Sequence, residues 1–230
     1  MTMNKPHPFA SQSWLTIPFE KRIKNPNDEL VDILVSLPGC LALGEEFLNQ
    51  SRLELTYTKS QLLDYALDLI SRLDNWHERS YGKVVNPNSQ RYFGIPHSAV
   101  FTAIYDAANL IAFQLLVLVS PSTGQQIERI HFHARSILAA DAFIEINGAV
   151  APAGGYILMV FPLKVLSVWA PLAEQREYAV RKLQNWDREG EANSICRFAA
   201  PVLLGSTTET APSSVYYANV AARVHSCCPL

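Results

Sequence analysis

Apolar residues fall three and four positions apart along most of this chain, and no stretch alternates with period two for long. A 3.6-residue period places one face of a helix in a core, so the pattern predicts an all-α protein. The expected architecture is an irregular multi-helix bundle with an extended N-terminal arm. Residues 1–27 carry Pro6, Pro8, Pro18 and Pro26. Each proline locks φ and removes a donor, so this segment reads as an extended arm, with Trp14, Ile17 and Phe19 as its anchors. Residues 28–204 read as one helical domain. Residues 205–230 read as a mobile tail with a short terminal helix near Val215–Val224.

Within the domain the pattern resolves into separate elements. Asn27 is placed to cap a first helix whose opening turn holds Asp28 and Glu29, both favourable against the positive helix end. Leu30, Ile33, Leu34 and Leu37 form its apolar face, and Pro38-Gly39 should stop it. A second short helix is expected over 41–49. Thr58-Lys59-Ser60-Gln61 has the form of a capping box. Beyond it Leu62, Ala66, Leu69, Ile70, Leu73 and Trp76 share one face, with Asp64, Asp68, Ser71, Arg72 and Asn75 opposite. Residues 80–96, with two prolines and two glycines, read as a surface loop.

From Ser98 to Val119 the chain is almost wholly apolar. About 20 such residues suffice to cross a bilayer. However, Ser98, Thr102, Asp106 and Asn109 fall in one polar stripe, and Asp at mid-bilayer costs about 2.5–3.5 kcal/mol. The pattern therefore predicts the central helix of a large protein core, with no membrane contact. A further helix is expected over 124–146, closed by Asn147-Gly148. The apolar segment 156–169 contains Pro162 and reads as helix, with strand as the alternative for its upper part. Pro171 suits the first position of a last helix, in which Leu172, Ala179, Leu183 and Trp186 face inward and Glu177–Arg181 form an outward pair. Gly190 should end it.

Composition sharpens the picture. Of 230 residues, 49% are apolar and 17% charged, against about 25% charged in a typical domain. A core-rich, thinly charged chain is expected to meet a partner or more chain with some of its apolar surface. The net charge is −2, and the densest basic cluster, Lys21, Arg22 and Lys24, reads as a solvated loop. No concentrated basic face is present to neutralise phosphates, so direct nucleic-acid contact is not expected. The four cysteines, Cys40, Cys196, Cys227 and Cys228, show no C-x-x-C spacing. Neither a zinc knuckle nor a redox motif is supported, and reduced intracellular thiols fit best. The opening MTMNKPHPFASQ lacks the apolar core of a secretory signal.

Candidate chemistry is sparse. His131 and His133 would share a face on a strand, but on a helix they stand about 200° apart and cannot hold one metal ion. One exposed and one packed imidazole are expected. Asp141 and Glu145, at i and i+4, could form a carboxylate pair with one raised pKa; two solvated surface acids are the plainer expectation. Asp106 and Asn109 stand out because a buried carboxylate must be paired or hydrogen-bonded. Asp106 is expected either to cap a neighbouring helix or to line a pocket. Tyr105, Asp106, Asn109, His131 and Glu145 are thus the candidate ligand-contacting residues. No catalytic set can be assigned, and no metal site or cofactor is expected: a G-x-S-x-G elbow is absent, and Gly154-Gly155 is too little for a phosphate loop. Cys40 and Cys196 lie in apolar contexts that favour inert thiols.

Several segments together carry a resemblance. They are WLTIPFEKRIKNPNDELVDILVSLPGCLALGEEFL from Trp14, LLDYALDLISRLDNWHE from Leu62, FTAIYDAANLIAFQLLVL from Phe101, ARSILAADAFIEI from Ala134, and FPLKVLSVWAP from Phe161. In this order the chain resembles the C-terminal regulatory region of fungal binuclear zinc-cluster transcription factors over roughly residues 14–196. The family's six-cysteine zinc module and basic linker have no counterpart here, so no base or phosphate contacts carry over. The resemblance implies a helical regulatory domain, nuclear or cytoplasmic, acting through protein partners or a small effector. The alternative is a small-molecule-binding protein or enzyme of a fungal secondary-metabolite pathway, with a pocket near Tyr105, Asp106, His131 and Glu145. A truncated regulator is the third reading.

Overall fold

The computed structural model describes residues 12–20, 22–49, 55–82, 93–147 and 154–189. Among them no strand occurs, and the fold is an all-α multi-helix bundle. The helices are α1 (Gln12–Thr16), α2 (Pro26–Leu34), α3 (Leu37–Asn49), α4 (Leu55–Tyr81), α5 (Pro96–Val119), α6 (Gly124–Asn147), α7 (Gly154–Trp169) and α8 (Ala173–Glu189).

Helix α5 is the axis of the bundle. It packs against α4, α6 and α7, and more lightly against α2 and α3. Apolar residues on every side of it meet a neighbour, which is why its sequence shows no single apolar face. It is long and apolar enough to cross a bilayer, but nearly all of its surface is buried inside the bundle. Leu62, Leu69, Leu73 and Trp76 from α4, Leu110 and Leu115 from α5, and Ile130 and Ile137 from α6 have no solvent contact. Each such side chain contributes about 1.5–3 kcal/mol relative to exposure, so this centre dominates stability.

The small helices dock on this frame through specific contacts. Trp76 Nε1 donates to the Pro26 carbonyl at 2.6 Å and ties the start of α2 to α4. Gly44 lets α3 approach α5 closely, because a Cβ there would sit 2.8 Å from Leu115 Cδ2. At the other side, Gln114 Nε2 donates to the Trp169 carbonyl at 2.9 Å, and Arg176 closes the α7–α8 corner on the Ala170 and Pro171 carbonyls.

Local boundaries differ from the sequence expectation in instructive ways. Within the expected extended arm, residues 12–16 form α1 and Ile17–Phe19 a 3-10 turn. The first full helix is capped by Asn25, not Asn27. Its side chain accepts from Asn27 N and Asp28 N while Asp28 accepts from Asn25 N, and Pro26 opens the helix. Pro at the first helical position lacks only an N–H that would be unsatisfied anyway, so the cap moves one residue before it. Likewise Pro38-Gly39 does not stop a helix. Helix α2 ends at Leu34, and Pro38 sits in the first turn of α3. Thr58 lies buried inside α4 rather than capping it. Pro96 opens α5, two residues before the expected Ser98. Pro162 leaves α7 helical throughout. Leu158, four residues earlier, is exposed, so the helix hydrogen bond that the proline removes falls at the solvent side of α7. Pro171 precedes α8, which starts at Ala173. The tail helix expected at 215–224 lies outside the described residues, as do Cys196, Cys227 and Cys228.

Candidate functional site

Two helices build the polar centre. On α6, His133 and Ser136 are three residues apart and therefore share a face. Opposite them on α5 stands Asp106. His133 Nδ1 lies 2.8 Å from Asp106 Oδ1, and Ser136 Oγ donates to Asp106 Oδ2 at 2.6 Å. Asp106 has no solvent exposure, and His133 and Ser136 are buried. Both carboxylate oxygens are therefore held by side-chain donors from the adjacent helix, the condition under which a carboxylate can stay inside a core.

Aromatic rings enclose the imidazole. Phe113 stacks on His133 with centroids 5.8 Å apart, while Tyr105 and Phe132 meet it edge-on at 5.9 and 5.3 Å. Tyr105 continues the network outward. Its hydroxyl donates to Asp74 Oδ1 on α4 at 2.9 Å, and Arg129 Nη2 meets both Asp74 oxygens at 3.0 Å. The Arg129 guanidinium also lies 5.0 Å over the Phe113 ring. One continuous set of contacts thus joins α4, α5 and α6.

The chemistry of this arrangement follows from where the protons point. Ser136 donates to Asp106, not to His133, so it lacks the hydroxyl–imidazole bond that activates a serine nucleophile. Asp106 collects two donors from α6, and the geometry anchors that helix against α5.

A second polar set lies between α6 and α8. Tyr178 Oη donates to Asp141 Oδ2 at 2.6 Å, and Lys182 Nζ lies 3.4 Å from the same oxygen. Lys182 also pairs with Glu145 and covers the Trp186 ring. Burial raises the Asp141 carboxyl above its ordinary range, against the opposing pull of Tyr178 and Lys182. Burial also pushes the Tyr178 hydroxyl up, and its hydrogen bond to Asp141 adds to the effect.

The expected site residues are distributed between these sets. Tyr105 and Asp106 belong to the first. Asn109, one turn on, donates from Nδ2 to the Tyr105 carbonyl at 3.2 Å, and its buried Oδ1 has no hydrogen-bond partner among the described residues. The packed imidazole is His133, whereas His131 is half-buried, with its pKa lowered by burial and by Arg135. Glu145 is an exposed partner of Lys182, and Asp141, four residues before it, is buried rather than solvated. Cys40 is a buried thiol whose pKa is pushed up to about 12, which removes its nucleophilic form at neutral pH. Among the described residues no group of three His, Cys, Asp or Glu side chains could hold a metal ion.

Several participants carried little sequence signal. His133–Ser136 at i,i+3 stands out as a polar pair among apolar residues, whereas Tyr178 and Lys182 lie in a helix rich in polar residues. Asp74 and Arg129 carry no sequence signal beyond their charge. Lys164, on α7, has its Nζ buried without a hydrogen-bond partner among the described residues, and burial lowers its pKa to about 8.

No known family model, curated protein or solved structure matches the chain. The likeness to zinc-cluster regulators therefore rests on the sequence pattern alone.

Proposed function

We propose that this chain is a transcription-factor-like regulatory domain, which binds no DNA itself and acts through protein partners or a small effector in the nucleus or cytoplasm. The observation that carries the proposal is the use of the core polar groups. Asp106, His133 and Ser136 hold α5 to α6, and Asp74 joins α4 to both through Tyr105 and Arg129. Groups committed in this way serve a scaffold, and the sequence resemblance supplies the kind of scaffold. The thin charge of the chain supports the same reading, since 17% charged residues leave much of its surface suited to contact.

The test is a tethered reporter assay. The full chain is fused to a heterologous DNA-binding domain in a fungal host carrying the matching reporter. The proposal expects expression to rise or fall several-fold relative to the DNA-binding domain alone. A correctly expressed fusion that leaves the reporter unchanged, across growth conditions, contradicts it.

A further inference from the structure

Helix α8 is held differently from the helices around it. Each of α4, α5, α6 and α7 packs against at least two other helices. Among the described residues α8 packs chiefly along α7 and meets α6 through the polar side chains Tyr178 and Lys182. Its inward face is short: Gln175, Ala179, Leu183 and Trp186 are buried, at the i, i+4, i+8 and i+11 spacing of one helix face. The corner to α7 is Ala170, Pro171 and Leu172, and Arg176 closes on the first two carbonyls.

The docking of α8 also buries polar groups at a loss. Gln175 Oε1, on the same face as Ala179 and Leu183, is buried with no hydrogen-bond partner among the described residues. Leaving such an acceptor desolvated costs about 1–3 kcal/mol. On α6, burial keeps the Asp141 carboxyl above its ordinary range in spite of Tyr178 and Lys182. A helix with one main packing partner and poorly compensated polar groups in its contact belongs to the low-stability end of a fold. Such a part opens while the rest stays closed.

We propose that α8 is a displaceable strap, which opens as a unit at the 170–172 corner and yields its place on α7 and α6 to an amphipathic helix of a protein partner. The chemistry of the place defines that helix. It carries an apolar side chain where α8 presents Gln175, and apolar side chains where α8 presents Ala179, Leu183 and Trp186. At the position of Lys182 it carries a cation, because Asp141 and Glu145 stand opposite on α6. Such a helix makes the contacts that α8 makes and leaves no orphaned acceptor. That difference is the differential affinity a displacement requires. The α8 of a second copy would repeat the misfit at Gln175 and gain nothing over the resident helix. The inference rests on the protein-partner form of the proposed function and names the partner's docking element.

The experiment uses the full chain, with a labelled synthetic peptide of residues 171–189 carrying Gln175→Leu in place of the partner. In the wild-type chain, hydrogen exchange of α8 amides is expected to run at least about tenfold faster than that of α5 amides. Gln175→Leu in the full chain should slow α8 exchange several-fold and leave α5 unchanged. Leu183→Asp should release α8 while the remaining helices keep a cooperative melt. By fluorescence anisotropy, the released chain is expected to bind the peptide at least about tenfold more tightly than wild type, because the resident helix no longer competes. A peptide that also carries Lys182→Glu should lose that binding. The strap is overturned by α8 amides as protected as those of α5, by no peptide binding to the released chain, or by binding that survives Lys182→Glu. Loss of the cooperative melt in Leu183→Asp, or wild-type dimers that exchange α8, would overturn it as well. Peptide binding beside a silent tethered reporter would sink the regulator reading alone. An active reporter without peptide binding would sink the strap alone.

Discussion

His133 and Asp106 face each other 2.8 Å apart in a core where Asp106 has no solvent exposure and His133 almost none. Neither would be stable there alone, and each makes the other's burial tolerable. Ser136 completes the set by taking the second carboxylate oxygen. Removing its hydroxyl takes one donor away from a carboxylate buried inside the protein. Ser136→Ala is therefore expected to lower unfolding free energy by about 1–3 kcal/mol. Urea denaturation followed by circular dichroism measures it, and an unchanged midpoint would contradict the role given to that bond.

Gly44 sets the distance between α3 and α5. A methyl group there meets Leu115 Cδ2 at 2.8 Å, and Leu115 is fully buried. Gly44→Ala should destabilise by about 1–3 kcal/mol through overpacking, despite the better helix propensity of alanine. A thermal melt that rises instead would show that α3 moves away at no cost.

Tyr178 holds α8 to α6 through one hydroxyl on a buried carboxylate. Tyr178→Phe keeps the ring and deletes that donor, so a loss of about 1–3 kcal/mol is expected. The raised Asp141 pKa should rise further, because its hydrogen-bond donor was opposing the effect of burial. NMR titration of the Asp141 side-chain carbonyl carbon in both proteins tests this; a lower value in the variant would reverse the assignment.

Lys164 gives a pH signature whose sign is fixed by linkage. Its ordinary value is 10.5 and its native value about 8. Between those values the unfolded chain holds the proton and the native chain does not, so stability rises with pH. Below that window the penalty is fully present. Comparing urea unfolding at pH 7.5 and 9.5, the wild type should gain on the order of 1–2 kcal/mol over Lys164→Met, after allowance for its partly solvated stem. Parallel behaviour of the two proteins would mean that the amine is not desolvated.

Much of this fold was legible in the chain because burial imposes a helical period on whatever a helix packs against. Leu62 to Trp76 announced α4 through a single apolar face. The unbroken apolar run of α5 announced a helix surrounded on all sides, and its lone Asp106 announced a partner. The identity of that partner was not legible. His133 and His131 are equivalent in composition, and only the angle at which α6 meets α5 selects one of them. Prolines misled for a related reason. Pro26, Pro38 and Pro96 each sit in the first turn of a helix, where a missing N–H has no cost, so the same residue that breaks a helix interior opens three helices here. Lys164 left no trace at all in the pattern, since an amine's burial depends on what lies across from it.

The claim that the core polar set is an anchor is tested most directly by a double-mutant cycle. Unfolding free energies would be measured for the wild type, Asp106→Ala, His133→Ala and the double variant. The account predicts single losses of at least about 1–3 kcal/mol, because each withdraws a contact that meets a buried polar atom of the other residue. It also predicts a coupling of roughly 1–3 kcal/mol between the two. Additive losses, or single variants as stable as the wild type, would contradict it: the pair would then be a coincidence of packing, and its polar groups would need another purpose.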